Sequence, residues 1–250
     1  MPAPTPPLTR EKAGYRGWAH PGGTPTTLVL LRHGVTDHTT QKRFSGGLGS
    51  GNPGLSEEGR AQILAAGDWL APLADQLTAL VTSPVRRTRE SAVLLGERLG
   101  LPVVEDPGFA EMEFGDWDGL TFAEIAERYP TDLEAWLGSV DTPSGGGSGE
   151  SFRQVEGRVL AALDRVLADH AGGTVLVVSH VTPIKTLVSH ALQAPLTAVF
   201  RMELAPASVS VVAWFPAAAE GGQGQGDAPT ASLRLYNARP TDEALWPSLR

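Results

Sequence analysis

Two histidines stand directly after apolar runs of the kind that buried parallel strands show. Residues 27–31 lead into Arg32 and His33, and residues 174–178 are followed by a serine and then His180. Parallel α/β sheets bind ligands beyond the carboxyl ends of their strands. We therefore expect both imidazoles and the Arg32 guanidinium to lie together at one edge of a sheet.

A guanidinium beside an imidazole suits the capture of a phosphate or a carboxylate, and a phosphoryl group is one candidate for its chemistry. Phosphomonoester hydrolysis needs an in-line nucleophile, cations that hold the equatorial oxygens and an acid that protonates the leaving oxygen. An imidazole attacks only while one ring nitrogen is unprotonated, and neighbouring guanidiniums should lower the pKa of His33. A lone histidine at a strand end is more often structural, so the rest of the sequence must decide between the two roles.

Strands and helices alternate along the chain, and this order predicts the sheet that carries the histidines. Short apolar runs predict strands, and amphipathic segments with capping residues at their starts predict helices. Further strands are predicted at 79–82, 103–104, 208–215 and 232–237, and helices from Ser56, over 87–99, from Thr121 to before Pro130, over 151–169 and near Pro183. We expect a three-layer α/β/α sandwich with a mostly parallel sheet, which the last two strands extend at one edge.

The composition excludes several classes of function. The chain has 250 residues and no cysteine, so disulfides, zinc–thiolate sites, iron–sulfur clusters and thiol nucleophiles are ruled out. Its formal net charge of −8 argues against a broad surface for nucleic acid or membranes, although a local cationic pocket remains compatible with it. The sequence shows no signal-peptide pattern and no long apolar run, so we expect a soluble, cytoplasmic protein that binds neither nucleic acid nor membranes.

Glycine and proline mark the segments outside the predicted domain. Ten of these residues fall within positions 1–26, which we expect to form a flexible tail or linker. A single domain is predicted over 27–240, with an insertion at about 105–150, and a C-terminal tail over 241–250. The Gly-rich stretch 145–149 within that insertion is expected to form a mobile flap.

Seven short motifs follow one another between residues 27 and 215, at 30–36, 44–46, 55–59, 83–92, 111–119, 149–151 and 177–180. In this order they resemble the histidine phosphatase (phosphoglycerate mutase-like) superfamily. The resemblance is strongest to bacterial α-ribazole phosphatase-like acid phosphatases, including those fused to ribonuclease H. It implies the phosphoglycerate mutase-like fold and a metal-independent phosphomonoesterase that needs no cofactor.

The resemblance also assigns catalytic roles. It implies that His33 forms a phosphohistidine, that Arg32 and Arg87 hold the phosphoryl oxygens, and that His180 donates a proton from the far side. Glu111 would act first as general acid and then as general base. The spacing of the family motifs favours Arg87 over its neighbour Arg86, and Glu111 over the nearby Glu113.

Six further residues are implied as substrate contacts. They are Thr36, Thr39, Phe44, Ser45, Gly46 and Val181, of which Thr39 occupies a position where many family members have asparagine. Asp116 and Asp118 could suggest a magnesium site, but no further oxygen ligands accompany them, so no metal is expected. His38 lies at the predicted mouth of the pocket, where contact with substrate and simple exposure to solvent are left open.

The predicted reaction is hydrolysis of small phosphorylated metabolites in a small cationic pocket sized for one phosphate. Two alternatives remain open at this stage: a phosphoglycerate mutase-type phosphotransferase and a non-catalytic module that binds phosphorylated ligands. The sequence leaves the natural substrate undefined, because selectivity depends on residues around the phosphoryl site rather than on the catalytic motif. A homodimer is left open as well.

Overall fold

Six strands form a single sheet in the computed structural model, which describes residues 23–49, 51–216 and 230–240. The strands are β1 (Thr26–Arg32), β2 (Leu77–Thr82), β3 (Val103–Glu105), β4 (Thr174–Ser179), β5 (Val209–Phe215) and β6 (Thr230–Ala238). Their order is β3-β2-β4-β1-β5-β6. The first four are parallel, whereas β5 is antiparallel to β1 and β6 is antiparallel to β5. The mostly parallel sheet with an added edge is therefore confirmed.

Seven α-helices flank this sheet within the described residues. They are α1 (Asp37–Thr40), α2 (Glu57–Leu70), α3 (Arg86–Leu99), α4 (Phe122–Arg128), α5 (Pro130–Gly138), α6 (Phe152–Asp169) and α7 (Val181–Ala191). Side chains alternate between the faces of β1, so Val29 packs with α2 and α3 while Leu28 packs with α6 and α7. The predicted three-layer sandwich is thus confirmed.

Most boundaries differ from the predictions by one or two residues, but α5 and α1 were not predicted. Pro130 was expected only to stop a helix. It does follow the end of α4, and it also occupies the first position of α5, where a missing N–H and a fixed φ are tolerated. Because α5 carries Trp136, the omission concerns the functional site described below.

The predicted tails and the predicted flap have different outcomes. Residues 1–22 and 241–250 lie outside the described residues, as does 217–229, so both tails and the domain limits remain predictions. Thr26, assigned to the tail, instead begins β1. The expected flap at 145–149 is packed in place, because the buried Ser144 donates a hydrogen bond to the Glu113 carbonyl and Gly149 N–H donates to the Ser144 carbonyl.

A close backbone contact fixes the loop that follows β1. Gly34 lies against Gly59 at the start of α2, and a Cβ added to Gly59 would stand 2.1 Å from the Val35 carbonyl oxygen. Ser56 begins α2 by accepting a hydrogen bond from the Gly59 N–H. This contact explains why a glycine-containing helix start accompanies the histidine motif. Among the residues that the structure describes, no helix is both long and apolar enough to cross a membrane.

Candidate active site

His33 and His180 meet where β1 and β4 end. The two strands pair in parallel up to Arg32 and Ser179, and the His33 N–H donates to the Ser179 carbonyl oxygen at 3.1 Å. The ring centroids lie 5.2 Å apart at an interplanar angle of 60°. The expected convergence of the two imidazoles is therefore present in the structure.

The hydrogen bonds of His33 define which of its ring nitrogens carries the proton. Nδ1 lies 2.7 Å from the Gly34 carbonyl oxygen, which can only accept, so Nδ1 carries the hydrogen. Nε2 accepts from Arg87 Nε–H at 3.2 Å and is therefore unprotonated. Burial lowers the pKa of His33 well below 6.5, and the charges of Arg87 and Arg32 lower it further. The imidazole is thus a neutral ring with a free lone pair on Nε2.

Arg87 reaches this imidazole from the second position of α3. It is almost fully buried, and its Nη2 donates to the carbonyl oxygens of Ser45 and Gly46 at 3.0 Å each. Arg32 is held in place by a hydrogen bond that its Nη1 donates to the Leu204 carbonyl oxygen. Burial lowers the pKa of each guanidinium to about 10, the charge of Glu111 opposing this shift, so both remain cationic near neutral pH.

Each of the two arginines retains a buried N–H without a partner among the described residues. These atoms are Nη1 of Arg87 and Nε of Arg32. A buried donor with no acceptor costs free energy, so sites that keep such donors commonly serve a ligand. Two guanidiniums beside an imidazole lone pair fit the tetrahedral oxygens of a phosphoryl group.

His180 is the residue that precedes the first turn of α7, and its side chain is fully buried. Its Nε2 lies 2.8 Å from Ser83 Oγ, which in turn accepts from the Val85 N–H at 3.3 Å. This arrangement lets the Ser83 hydroxyl donate to Nε2 and leaves the proton on Nδ1, an atom without a partner among the described residues. Burial lowers the pKa of His180 well below 6.5, as do Arg87 and His33. The lowered pKa favours a neutral ring at His180.

Glu111 lies across from these groups, with its carboxylate on the N-terminus of α7. Its oxygens accept from the N–H groups of Met112 at 2.9 Å, Val181 at 3.2 Å and Thr182 at 3.3 Å. Helix N-terminal N–H groups favour negative charge at this position. The Val181 amide, expected to contact phosphate, thus binds Glu111 in this structure.

A salt-bridged pair behind Glu111 fixes its backbone. Arg158 on α6 donates to the carbonyl oxygens of Gly108, Ala110 and Glu111 at 2.7–3.0 Å, and its guanidinium also pairs with Glu150 at 2.8 Å. Glu150 in turn accepts from the Glu113 N–H at 2.9 Å. The Gly-Glu-Ser motif at 149–151 therefore acts on the site through the segment that carries Glu111.

The structure places Arg86 and Arg87 in different surroundings, and likewise Glu111 and Glu113, the two pairs for which the motif spacing favoured one member. Arg86 is largely exposed and forms an ion pair with Glu90 at 2.8 Å, whereas Arg87 points into the site. The Glu113 carboxylate accepts from the N–H groups of Leu48 and Gly49 and so holds a loop. Both choices agree with the geometry.

Arg32, His33, Arg87 and Glu111 line one end of a cavity of about 490 Å³, a volume within the usual range for small-molecule sites, whereas the fully buried His180 does not belong to the lining. The predicted residues in its lining are Arg32, His33, Thr39, Phe44, Ser45, Arg87, Glu111 and Val181. The remaining wall is largely aromatic and aliphatic, with Phe114, Phe122, Trp136, Leu137, Phe152, Val199 and Phe200, and also includes Lys42, Arg43, Thr182 and Lys185. The cavity is therefore larger and more apolar than a pocket sized for one phosphate.

Two predicted substrate contacts do not belong to this lining. The Thr36 hydroxyl accepts from the Thr39 N–H at 3.2 Å and caps α1, so it holds the loop after His33. Gly46 contributes its carbonyl to Arg87 and donates its N–H to Asp118 Oδ1 at 2.6 Å. Both residues support the site from behind.

The remaining candidates serve the loops around the cavity. The half-buried His38 pairs with Ser45 Oγ at 2.7 Å and does not line the cavity, and the Asp118 carboxylate accepts from N–H groups of the loop at 46–51. Within residues 23–49, 51–216 and 230–240, no group of three or more His, Asp or Glu side chains is placed to hold a metal ion.

Sequence reasoning missed Lys185 and much of the apolar wall. Phe152 and Phe200 resemble ordinary core residues in a sequence, and Lys185 lies in the stretch 179–186 that resembles α-ribazole phosphatase-like proteins, but the resemblance assigned it no role. The signal that could have identified Lys185 is its position four residues after Val181, which places both on one face of α7.

The site holds a neutral imidazole among buried guanidiniums at the edge of a parallel sheet. This arrangement is typical of an α/β phosphoryl-transfer enzyme. Sequence comparison identifies the family within this class. A model of the histidine phosphatase superfamily (branch 1) matches residues 28–220, and the chain belongs to this superfamily.

Individual relatives share both sequence and fold with the chain. It is 44% identical over 209 residues to bifunctional protein Rv2228c of Mycobacterium tuberculosis, which covers 83% of this chain but only 56% of that protein. A solved structure of mycobacterial glucosyl-3-phosphoglycerate phosphatase Rv2419c with VO3 superposes with a TM-score of 0.70 at 31% identity, covering 85% of this chain and 99% of the other. An Escherichia coli α-ribazole-5′-P phosphatase-like structure has a TM-score of 0.71 at 23% identity, covers 86% and 97% of the two chains, and shows the shared fold alone.

Proposed function

We propose that the protein is a phosphomonoester hydrolase that acts through a phosphohistidine on His33, without a metal ion, on small phosphorylated metabolites. The observation that carries this proposal is the neutral imidazole of His33, whose Nε2 lone pair lies beside buried arginine N–H groups that have no partner. A nucleophile and its charge-stabilising donors are thus positioned before the substrate arrives.

In the first half of the reaction, His33 Nε2 forms a bond to phosphorus while the bond from phosphorus to the ester oxygen breaks. Arg32 and Arg87 stabilise the charge on the equatorial oxygens, and His180 donates its Nδ1–H to one of them. Glu111, in its protonated form, transfers its proton to the leaving oxygen. The products of this half-reaction are a free alcohol and phosphohistidine.

In the second half, a water molecule attacks the phosphohistidine. The Glu111 carboxylate takes a proton from the water as its oxygen bonds to phosphorus, and the bond from Nε2 to phosphorus breaks. Inorganic phosphate leaves, and His33 returns to the neutral state that the structure shows. The backbone bonds from Arg158 hold Glu111 at a fixed place for both proton transfers.

The relatives support hydrolysis rather than transfer to a second substrate. Glucosyl-3-phosphoglycerate phosphatase is named for removing phosphate. The matched segment of the bifunctional relative spans just over half of that protein, so its full activity is not carried over. A metabolite such as α-ribazole phosphate belongs with sugar phosphates and phosphoglycerates in a first substrate screen.

The test is hydrolysis of 4-nitrophenyl phosphate by wild type, His33→Gln and the control His190→Gln, whose histidine is exposed at the far end of α7. We expect His33→Gln to lose at least three orders of magnitude in kcat/KM, while His190→Gln and a chelator leave the rate unchanged. Acid-labile phosphate should be trapped on wild type but not on His33→Gln.

Four results would contradict the proposal. Activity in His33→Gln would exclude the phosphohistidine, and loss of activity with chelator would indicate a metal enzyme. Dependence on a bisphosphorylated primer would indicate a mutase. Binding of phosphate without a trapped phosphoenzyme or hydrolysis would instead identify a non-catalytic module.

A further inference from the structure

Lys185 is a cation of the cavity that the proposed reaction does not use. It lies on α7 four residues after Val181, and both residues line the cavity. Residues at this spacing lie on one helix face with Cβ atoms about 5–6 Å apart. Lys185 is therefore one helical turn away from the amide that binds Glu111.

The ammonium of Lys185 has no bonded anion in the part of the chain that the structure describes. No hydrogen bond or ion pair joins it to any residue of 23–49, 51–216 or 230–240. The side chain is partly buried, and this burial lowers its pKa; Arg32 lowers it further, while Glu111 and Glu203 oppose the shift. An anion that binds within reach of a lysine held in this way stabilises its charged form, so binding of the anion is favourable.

The phosphoryl group already has a full set of partners. In the proposed reaction, Arg32, Arg87 and His180 supply the donors to the phosphoryl oxygens, and Glu111 supplies the acid. Lys185 lies one turn further along α7 than Val181, and this helix packs against the 3-10 turn Leu196–Arg201. Its position fits a group on the other side of the scissile bond.

The residues that line the cavity together with Lys185 indicate which kind of leaving group would fit there. Phe200 belongs to the neighbouring turn, and Trp136 and Phe152 continue the wall, with Trp136 stacked on Phe152 at a centroid distance of 5.1 Å. Phe122 and Phe200 are 48% and 41% exposed at the mouth, although large aromatic side chains favour burial. This wall fits an apolar or aromatic body.

We propose that Lys185 determines specificity by binding an anionic group, such as a carboxylate, on the leaving-group portion of the substrate. The preferred substrates are then phosphomonoesters whose apolar body carries a second negative charge. This inference rests on the proposed function, because it assigns the part of the substrate that the catalytic groups do not contact.

The test compares two aryl esters that differ in charge but hardly in size. These are carboxyphenyl phosphate and carbamoylphenyl phosphate, each as its meta and para isomer. We expect wild type to prefer a carboxylate isomer through KM, with a ratio of kcat/KM values of about tenfold or more. Lys185→Met should bring that ratio close to one, and Lys185→Arg should restore most of it.

Lys42→Met is the matched control, since it removes an exposed lysine from the same cavity mouth. Lys42→Met should retain the carboxylate preference, because the proposal attributes this preference to Lys185 itself and not to the overall positive potential of the cavity mouth. The inference is refuted if wild type shows no preference, if Lys185→Met keeps it, or if Lys185→Met lowers both esters equally. Failure of wild type to hydrolyse any of the esters would refute the proposed function itself, a result that differs from loss of discrimination.

Discussion

His33 is expected to make the folded protein less stable as the pH falls below about 6.5. In the unfolded chain its imidazole takes up a proton near its ordinary pKa of 6.5, whereas burial and two guanidiniums keep it neutral in the folded protein. The unfolded state then binds one proton more than the native state. Stability therefore rises with pH across this window and is lost as the pH falls.

The magnitude follows from proton linkage. Each proton bound only by the unfolded state changes the free energy of unfolding by about 1.4 kcal/mol per pH unit. With an unfolded pKa of 6.5, the loss due to His33 between pH 7.5 and pH 5.0 has an upper limit of about 2 kcal/mol, which is reached when the native ring takes up no proton over this range. His180, buried in the same state, adds a loss of the same sign.

The assay is urea unfolding followed by tryptophan fluorescence at pH 7.5, 6.5, 5.8 and 5.0, in buffers that contain no phosphate. Wild type should lose more stability over this range than His33→Gln, by up to about 2 kcal/mol, whatever the baseline stability of the variant. His190→Gln, which removes an exposed imidazole, should run parallel to wild type. Parallel curves for wild type and His33→Gln would refute the neutral buried imidazole, and with it the assigned nucleophile.

Three further substitutions test the elements that position the site. Arg87→Lys should lower kcat/KM by about 100-fold, because it keeps the charge but loses the forked donor, while Arg86→Lys should stay within about twofold; equal effects in the same kinetic assay would contradict the assignment. Arg158→Met should lower kcat far more than it changes KM, because it frees the backbone that holds Glu111; a change in KM alone would exclude this positioning role. Gly59→Ala should destabilise the fold by about 1–3 kcal/mol in urea unfolding, because its Cβ would collide with backbone; unchanged stability would show that the contact can relax.

The sheet could be predicted because its strands are short, apolar and separated by helices with clear caps. Thr121 and Ser151 both form capping boxes with residues three positions on, as their sequences indicate. Pro130 shows the limit of this reasoning, since a proline after one helix can equally begin the next. Whether a new helix begins at Pro130 depends on how the α5 face that carries the buried Trp136 packs, and this tertiary packing cannot be predicted from the local sequence.

Most groups of the phosphoryl end were predictable because they end or follow a strand or begin a helix. Arg32 ends β1, His33 follows it, His180 follows β4, and Arg87 lies in the first turn of α3, whereas Glu111 lies in a loop and was assigned only by the resemblance. Carboxyl ends of parallel strands meet, so sequence order alone brings these groups together. The leaving-group end was not predictable in the same way, because its wall comes from loops and helix faces whose apolar residues resemble core.

The two ends of the cavity divide the free energy of binding differently. At the phosphoryl end, burial opposes the charge of both arginines and of any imidazolium, and Glu111 is the largest opposing influence on the two guanidiniums. The folded protein thus holds cations and neutral imidazoles that a dianionic phosphoryl group stabilises, and this gain is available to every monoester. Under the role proposed for Lys185, discrimination between monoesters comes from the other end of the cavity, where Lys185 and the aromatic wall would contact the leaving-group portion of the substrate. Substitutions at Lys185 are then expected to change the preferred substrate while the chemistry proposed for His33 stays the same.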